Sequence, residues 1–278
     1  MQKEARSKIP LLIIGSKIFY ERVLPKGLKT RFELFYFDHR GFAEHPGKTM
    51  SYYSSLDDIS KEIEEFRQAH RLDKLFLFGH SGHAYMALEY AKNHPKWVLG
   101  LILCACSPDL SPSTHTAAAT FFENEAEEFR KRVFEADMAT LGQKIEENPK
   151  ERFIQFVLCQ KAKNWFDPNY DASWMWEKVP THLPTLDYIW GKLFADFQVK
   201  SGLMKISCPV LFLQGEFDFV AGPALLWDPY LSFFQQVEVH LFDRSGHYPM
   251  VEEPIKFERL IAAWTSRLKQ GTLPPENF

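Results

Sequence analysis

The sequence predicts an α/β fold: a mostly parallel sheet with helices on both faces, interrupted by one long helical insertion. Three observations carry that prediction. Short, nearly continuous apolar runs recur at Leu11–Ile14, Phe32–Phe37, Leu75–Phe78, Val98–Cys106, Val210–Leu213 and Val237–Phe242. Strands buried on both faces of a parallel sheet read this way, without the alternation of a half-exposed sheet. Between the runs lie longer stretches of helical period, and strand–helix alternation is the mark of parallel pairing. From about Ser111 to Gly202 the strand runs stop and helical patterns take over.

The elements follow in order. The run at Leu11–Ile14 ends at Gly15-Ser16, and the run at Phe32–Phe37 is followed by Asp38-His39-Arg40-Gly41. Leu56, Ile59, Ile63 and Phe66 then form one helical stripe, with Ser55 as its N-cap. The run at Leu75–Phe78 leads through Gly79-His80 into a helix over Ser81–Asn93, which Pro95 stops. Glu127 and Lys131, like Glu128 and Arg132, are four apart, so that charge run reads as a solvated helix face. Eleven aromatics lie between Phe153 and Phe197, more densely than elsewhere. Some are expected to pack the insertion onto the sheet and the rest to line an apolar pocket over Ser81. The strand rhythm resumes at Cys208-Pro-Val-Leu, and Pro254 opens a last helix carrying Phe257, Leu260, Ile261 and Trp264. Residues 1–110 and 203–278 therefore form one core, and 111–202 its insertion.

Composition excludes several classes. Lys and Arg number 33 against 36 Asp and Glu, a net charge of −3, so no basic field draws nucleic acid or anionic lipid. The four cysteines form no CxxC pair and sit in apolar surroundings, as free core thiols do. The run Val98–Cys106 is half the length a bilayer span needs, and the N-terminus has no signal-peptide pattern. A soluble, cytoplasmic protein with no nucleic-acid or membrane partner is expected; oligomeric state is not written in the sequence.

The chemistry centres on Gly79-His80-Ser81-Gly82-His83. A buried strand ends and a helix begins across a turn that needs small neighbours, which lifts Ser81 out of the sheet edge. The N–H of Gly82, at the helix start, is placed for an oxyanion. A serine hydroxyl needs a base, and the base an orienting acid. Asp218 ends the strand–loop Leu213-Gln-Gly-Glu-Phe-Asp, and His247 sits in the loop after Leu241-Phe242. The order Ser81, Asp218, His247 puts each on its own post-strand loop. Asp109, after Cys106-Ser-Pro, is the alternative acid. His80 and His83 are spaced as an HxxH pair, but no third ligand accompanies them, so no metal is assigned. Asp38 and Arg40 read as a structural, salt-linked loop.

With these motifs the chain resembles the α/β-hydrolase superfamily from Pro10 to Leu268. Asp38-His39-Arg40-Gly41-Phe42 looks like its D-x-R-G loop, and Ser245-Gly246-His247-Tyr-Pro-x-x-Glu-Glu253-Pro254 like its histidine loop. The helical insertion corresponds to the superfamily's cap. The Trp-rich stretch Trp165–Glu177 is similar to the capped, serine-nucleophile branch that includes proline iminopeptidase-like proteins. The resemblance implies a hydrolase without metal or organic cofactor: Ser81 as nucleophile, His247 as base, Asp218 as acid, and the N–H groups of Gly82 and Ser16, or else Lys17, as oxyanion donors. The substrate is then a small molecule or short peptide. An aminopeptidase would hold an amine through Asp171 and Glu177, with Trp174, Trp176 and His83 at the pocket. An esterase or lactonase would need only the apolar pocket; a lyase or a non-catalytic relative stands further off. Three departures are visible. His83 replaces the motif's second glycine, Ile14-Gly15-Ser16 replaces a His-Gly, and only about eight residues precede the first strand, so either a shortened sheet or a truncated start is expected there.

Overall fold

The structure, a computed structural model, describes residues 8–43, 53–197, 199 and 206–270. Its centre is a six-stranded sheet in the order β2-β1-β3-β4-β5-β6. The strands are β1 (Ile9–Ile14), β2 (Phe32–Phe37), β3 (Leu75–His80), β4 (Val98–Cys104), β5 (Val210–Gly215) and β6 (Val237–Phe242). Every pairing among the described residues is parallel. The chain steps outward from β1 to β2, then returns to lay β3 on the other side of β1. The loops after β1 and β3 therefore diverge from neighbouring strands, and ligands of open α/β sheets bind at such a crossing point.

Strand boundaries differ from the apolar runs for local reasons. β1 begins before Pro10, because there it pairs only with β2 (Pro10 beside Glu33); pairing with β3 starts at Leu11, beside Phe76. A proline is tolerated where one ladder edge is vacant. β3 continues to His80, which still pairs with Cys104. β4 stops at Cys104 because Ala105 has φ +50°, a left-handed conformation that no strand accommodates. The expected shortening of the sheet concerns residues 1–7, which lie outside the described residues.

Period-two alternation sorts the strand side chains into two layers. Leu12, Ile14, Leu77, Leu101, Leu103, Val210 and Phe212 meet α3 (Leu56–Ala69) and α4 (His83–Asn93) on one face. Leu11, Ile13, Phe76, Phe78, Ile102 and Leu213 meet α1 (Lys17–Val23), α2 (Leu28–Arg31) and the last helix, Pro254–Gln270, on the other. Ser55 precedes α3 in extended conformation but makes no side-chain capping bond.

Between β4 and β5 the described chain is helical. Its main helices are α5 (Pro112–Glu125), α6 (Glu128–Glu147) and α7 (Arg152–Cys159). Short turns follow at α8 (Lys161–Asn164), α9 (Ser173–Trp176) and α10 (Leu183–Tyr188), the last continuing into a wide π turn over Ile189–Leu193. The expected boundary at 202/203 lies outside the described residues. The charge run at the start of α6 is only partly a solvated face. Lys131 pairs with Glu128, three residues away at 3.2 Å, rather than with Glu127. Arg130 is buried: one Nη donates to the carbonyls of Ala162 (2.8 Å) and Trp165 (2.7 Å), the other to Phe166 (2.6 Å). All four cysteines are buried free thiols. No helix of the described residues is long and apolar enough to cross a membrane.

Candidate active site

Ser81 follows β3 with φ +57°, a conformation that costs a non-glycine residue energy and persists only where its surroundings impose it. Two backbone bonds impose it here. Ser81 N–H donates to Cys104 of β4 (2.9 Å), and Ser81 C=O accepts from Ala84 (2.9 Å). Helix α4 therefore starts at His83, two residues later than the apolar pattern suggested. Gly79 is required by close approach, since a Cβ there would lie 2.7 Å from Ala84 Cα. Gly82 heads α4, and Phe194 of the helical insertion packs directly against its Cα.

The loop after β1 faces this elbow. Gly15 has φ +134°, and a Cβ there would overlap the Tyr20 ring. Ser16 caps α1 through its side chain, accepting from Phe19 N–H at 3.4 Å. Lys17 N–H is bonded to Asp38 Oδ1 at 2.5 Å, which removes it as a donor to anything else. Among the described residues, the main-chain N–H groups of Ser16 and Gly82 have no protein acceptor. The Asp38 loop is thus a support for the β1 loop, while Arg40 pairs with Glu62 of α3 and lies over the Tyr53 ring.

Asp218 and His247, from the loops after β5 and β6, meet in the interior. His247 Nδ1 donates to Asp218 Oδ2 at 2.9 Å. Asp218 is fully buried, and its carboxylate is fixed by three further donors: Gln214 Nε2 (3.0 Å), Val220 N–H (3.0 Å) and Ala221 N–H (2.9 Å). A buried carboxylate held by that many donors keeps one orientation. Asp109, the other acid, instead accepts from Ser111 N–H (2.9 Å) and Thr114 Oγ1 (2.7 Å) at the start of α5.

The helical insertion grips both loops through one short segment. Lys163 C=O accepts from Phe219 N–H (3.1 Å), and Asn164 C=O accepts from His247 N–H (2.6 Å). Glu252 closes the same joint: one oxygen accepts from Phe166 N–H and the other from Gly246 N–H, each at 2.7 Å. Burial raises its carboxyl to about 7, against the lowering effect of those two bonds. Glu253 accepts from Arg244 N–H (3.0 Å) and Ser245 Oγ (2.7 Å), so the paired glutamates tie the histidine loop from two sides.

His83 does not present a free ring to a pocket, as a substrate-binding role would require. Its Nδ1 lies 3.0 Å from Tyr20 Oη and its Nε2 3.0 Å from His39 Nε2. Nor do His80 and His83 face each other as a metal pair; His80 Nε2 bonds the His247 carbonyl at 2.7 Å. Asp171 and Glu177 are both exposed, and Asp171 caps the turn at Ser173 (2.9 Å). Trp174 is exposed too and donates to Tyr170. Trp176 is buried, its ring 4.5 Å from Phe19. With Phe153, Trp190 and Phe194 it forms an aromatic layer against Phe42, His39 and His83. Sequence reasoning missed Tyr20, Arg130, Asn164 and Glu252. Tyr20 had a usable signal, four residues after Ser16 and hence on the sheet side of α1.

Comparison with known proteins agrees with this architecture. The family model described as the α/β hydrolase fold matches residues 12–254, and the chain belongs to that family. It is 34% identical over 255 residues to an AB hydrolase superfamily protein, YclE, of Bacillus subtilis, covering 92% of this chain and 91% of that one. It is 25% identical over 219 residues to a proline iminopeptidase of Heyndrickxia coagulans, covering 74% of this chain and 72% of that one. Among solved structures, an esterase from Exiguobacterium antarcticum superposes with a TM-score of 0.65 at 17% identity, covering 94% of this chain and 93% of that one.

Proposed function

We propose that the protein is a serine hydrolase that cleaves an ester or amide of a small acyl compound through an acyl-enzyme. The observation that carries this reading is the buried His247–Asp218 pair at 2.9 Å, on loops of the same sheet edge as the strained Ser81 elbow. Ser81 Oγ attacks the acyl carbonyl, and His247 Nε2 takes its proton while Asp218 holds the imidazole tautomer. The N–H groups of Ser16 and Gly82 receive the oxyanion, which is where preorganised donors contribute most. His247 then protonates the leaving group, and water enters by the same route to release the acid. The helical insertion acts as a cap: Phe194 rests on Gly82, and Lys163 and Asn164 fix the acid and base loops.

The surroundings favour an uncharged, apolar acyl group, the carboxylesterase or lactonase reading. Asp218 is the one fully buried carboxylate among the described residues, and its oxygens are committed. A second reading, an aminopeptidase, draws support from the proline iminopeptidase relative. It would have to hold the substrate amine without Asp171 or Glu177, both exposed. The test is hydrolysis of p-nitrophenyl butyrate and of proline p-nitroanilide by wild type and Ser81→Ala. Ester turnover that Ser81→Ala abolishes is expected. Turnover of the anilide alone would select the aminopeptidase, and turnover unaffected by Ser81→Ala would reject the serine mechanism.

A further inference from the structure

Three histidines and a tyrosine form a chain of hydrogen bonds through the floor of the site. Gly41 N–H donates to His39 Nδ1 at 3.0 Å. His39 Nε2 lies 3.0 Å from His83 Nε2, and His83 Nδ1 lies 3.0 Å from Tyr20 Oη. Tyr20 Oη reaches His80 Nδ1 at 3.4 Å, the longest link, and His80 Nε2 reaches the His247 carbonyl at 2.7 Å. All four side chains are buried.

Each end is a main-chain group of fixed polarity. At one end Gly41 N–H donates, so His39 Nδ1 is bare and His39 Nε2 carries the proton. That proton points at His83 Nε2, so His83 Nδ1 carries its own and donates to Tyr20 Oη. At the other end the His247 carbonyl only accepts, so His80 Nε2 carries the proton and His80 Nδ1 accepts from the tyrosine. The two ends independently require the same direction, and one neutral tautomer of each ring satisfies every link. Burial supports this assignment: it lowers the His80 and His83 pKa values well below the ordinary range and raises that of Tyr20.

The chain touches both halves of the site. Tyr20 and His83 fill the space under Gly15, the residue before Ser16. His80 holds the carbonyl of His247, whose N–H is held by Asn164 and whose ring is held by Asp218. We propose that His39, His83, Tyr20 and His80 are one positioning unit, a one-directional hydrogen-bonded chain that sets the Ser16 loop and the His247 backbone relative to Ser81. This rests on the serine-hydrolase reading only for what is being positioned.

Two measurements test it. In folded wild type labelled with 15N-histidine, long-range proton–nitrogen correlation spectra report each tautomer directly. The expected pattern at pH 7 is Nε2–H at His39, Nδ1–H at His83 and Nε2–H at His80, all neutral. A reversed tautomer or a charged ring at any of the three overturns the proposal. Tyr20→Phe removes one hydroxyl and keeps the packed ring. It is expected to lower kcat on p-nitrophenyl butyrate about tenfold or more, with KM within about twofold, while the tautomers of His83 and His80, each set from its own main-chain end, stay as in wild type. His80→Gln, which keeps an N–H for the His247 carbonyl, should retain more kcat than His80→Leu. Unchanged kcat in a folded Tyr20→Phe would overturn the proposal. If Tyr20→Phe does not fold, the wild-type tautomers decide. Wild type that shows the tautomers but turns over neither p-nitrophenyl butyrate nor proline p-nitroanilide would reject the hydrolase reading instead.

Discussion

Replacing Glu252 by Gln should change how stability depends on pH, and the size of the change follows from its surroundings. The carboxyl accepts one backbone N–H with each oxygen, from Phe166 and from Gly246. Gln keeps one acceptor and turns an NH2 group toward the other N–H. The lost bond and the new donor–donor contact cost about 2 kcal/mol. Against this stands the burial of the charge. The folded-state carboxyl titrates near 7, above its ordinary 4.5, so the folded protein binds more protons than the unfolded chain between those values. The stability this group contributes is therefore full below about pH 4.5 and is lost as pH rises toward 7. One pKa unit corresponds to about 1.4 kcal/mol, and because Glu252 is only part-buried the loss is about 2 kcal/mol. Gln has no such titration. Urea unfolding of wild type and Glu252→Gln should show the variant about 2 kcal/mol less stable at pH 5 and close to wild type at pH 8. Curves that run parallel from pH 5 to 8 would refute this account of Glu252.

Three further outcomes are expected. Arg130→Met removes three bonds to the Ala162, Trp165 and Phe166 carbonyls. It should lower stability by about 3 kcal/mol, read from urea midpoints, and lower kcat, because the same segment holds His247. Asp218→Asn should cut kcat by about 10⁴ while Asp109→Asn stays near wild type; the reverse order in a p-nitrophenyl butyrate assay would exchange their roles. Gly15→Ala, with φ +134° and the Tyr20 ring in the way, should cost about 3 kcal/mol or more. A melting temperature equal to wild type would contradict it.

Most of the sheet was legible because a strand buried on two faces must be apolar throughout, and apolarity is visible in a sequence. Its ends were less so. His80 belongs to β3 by its pairing with Cys104, and Ala105 ends β4 by a backbone angle; neither shows in hydropathy. Ser81, Asp218 and His247 are candidates from sequence because each sits in a loop with its own local pattern, and the structure brings Asp218 and His247 into a hydrogen bond. The supports were hidden for a physical reason. Arg130 looks like a surface charge until three main-chain carbonyls are folded around it. His39 and His83 lie 44 residues apart, and their contact exists only because the sheet places β2 and β3 on either side of β1, so that the loop after β2 meets the start of α4. Asp171 and Glu177 show the converse: acids beside tryptophans suggested an amine pocket, yet both are exposed.

The central claim is that Ser81 is a nucleophile activated by His247. Its most direct test is the intact mass of the protein after reaction with a fluorophosphonate, followed by mapping of the modified peptide. The account predicts one adduct per chain, on Ser81, absent in Ser81→Ala and strongly slowed in His247→Ala. A folded wild type that remains unmodified, or an adduct on another residue, would contradict it.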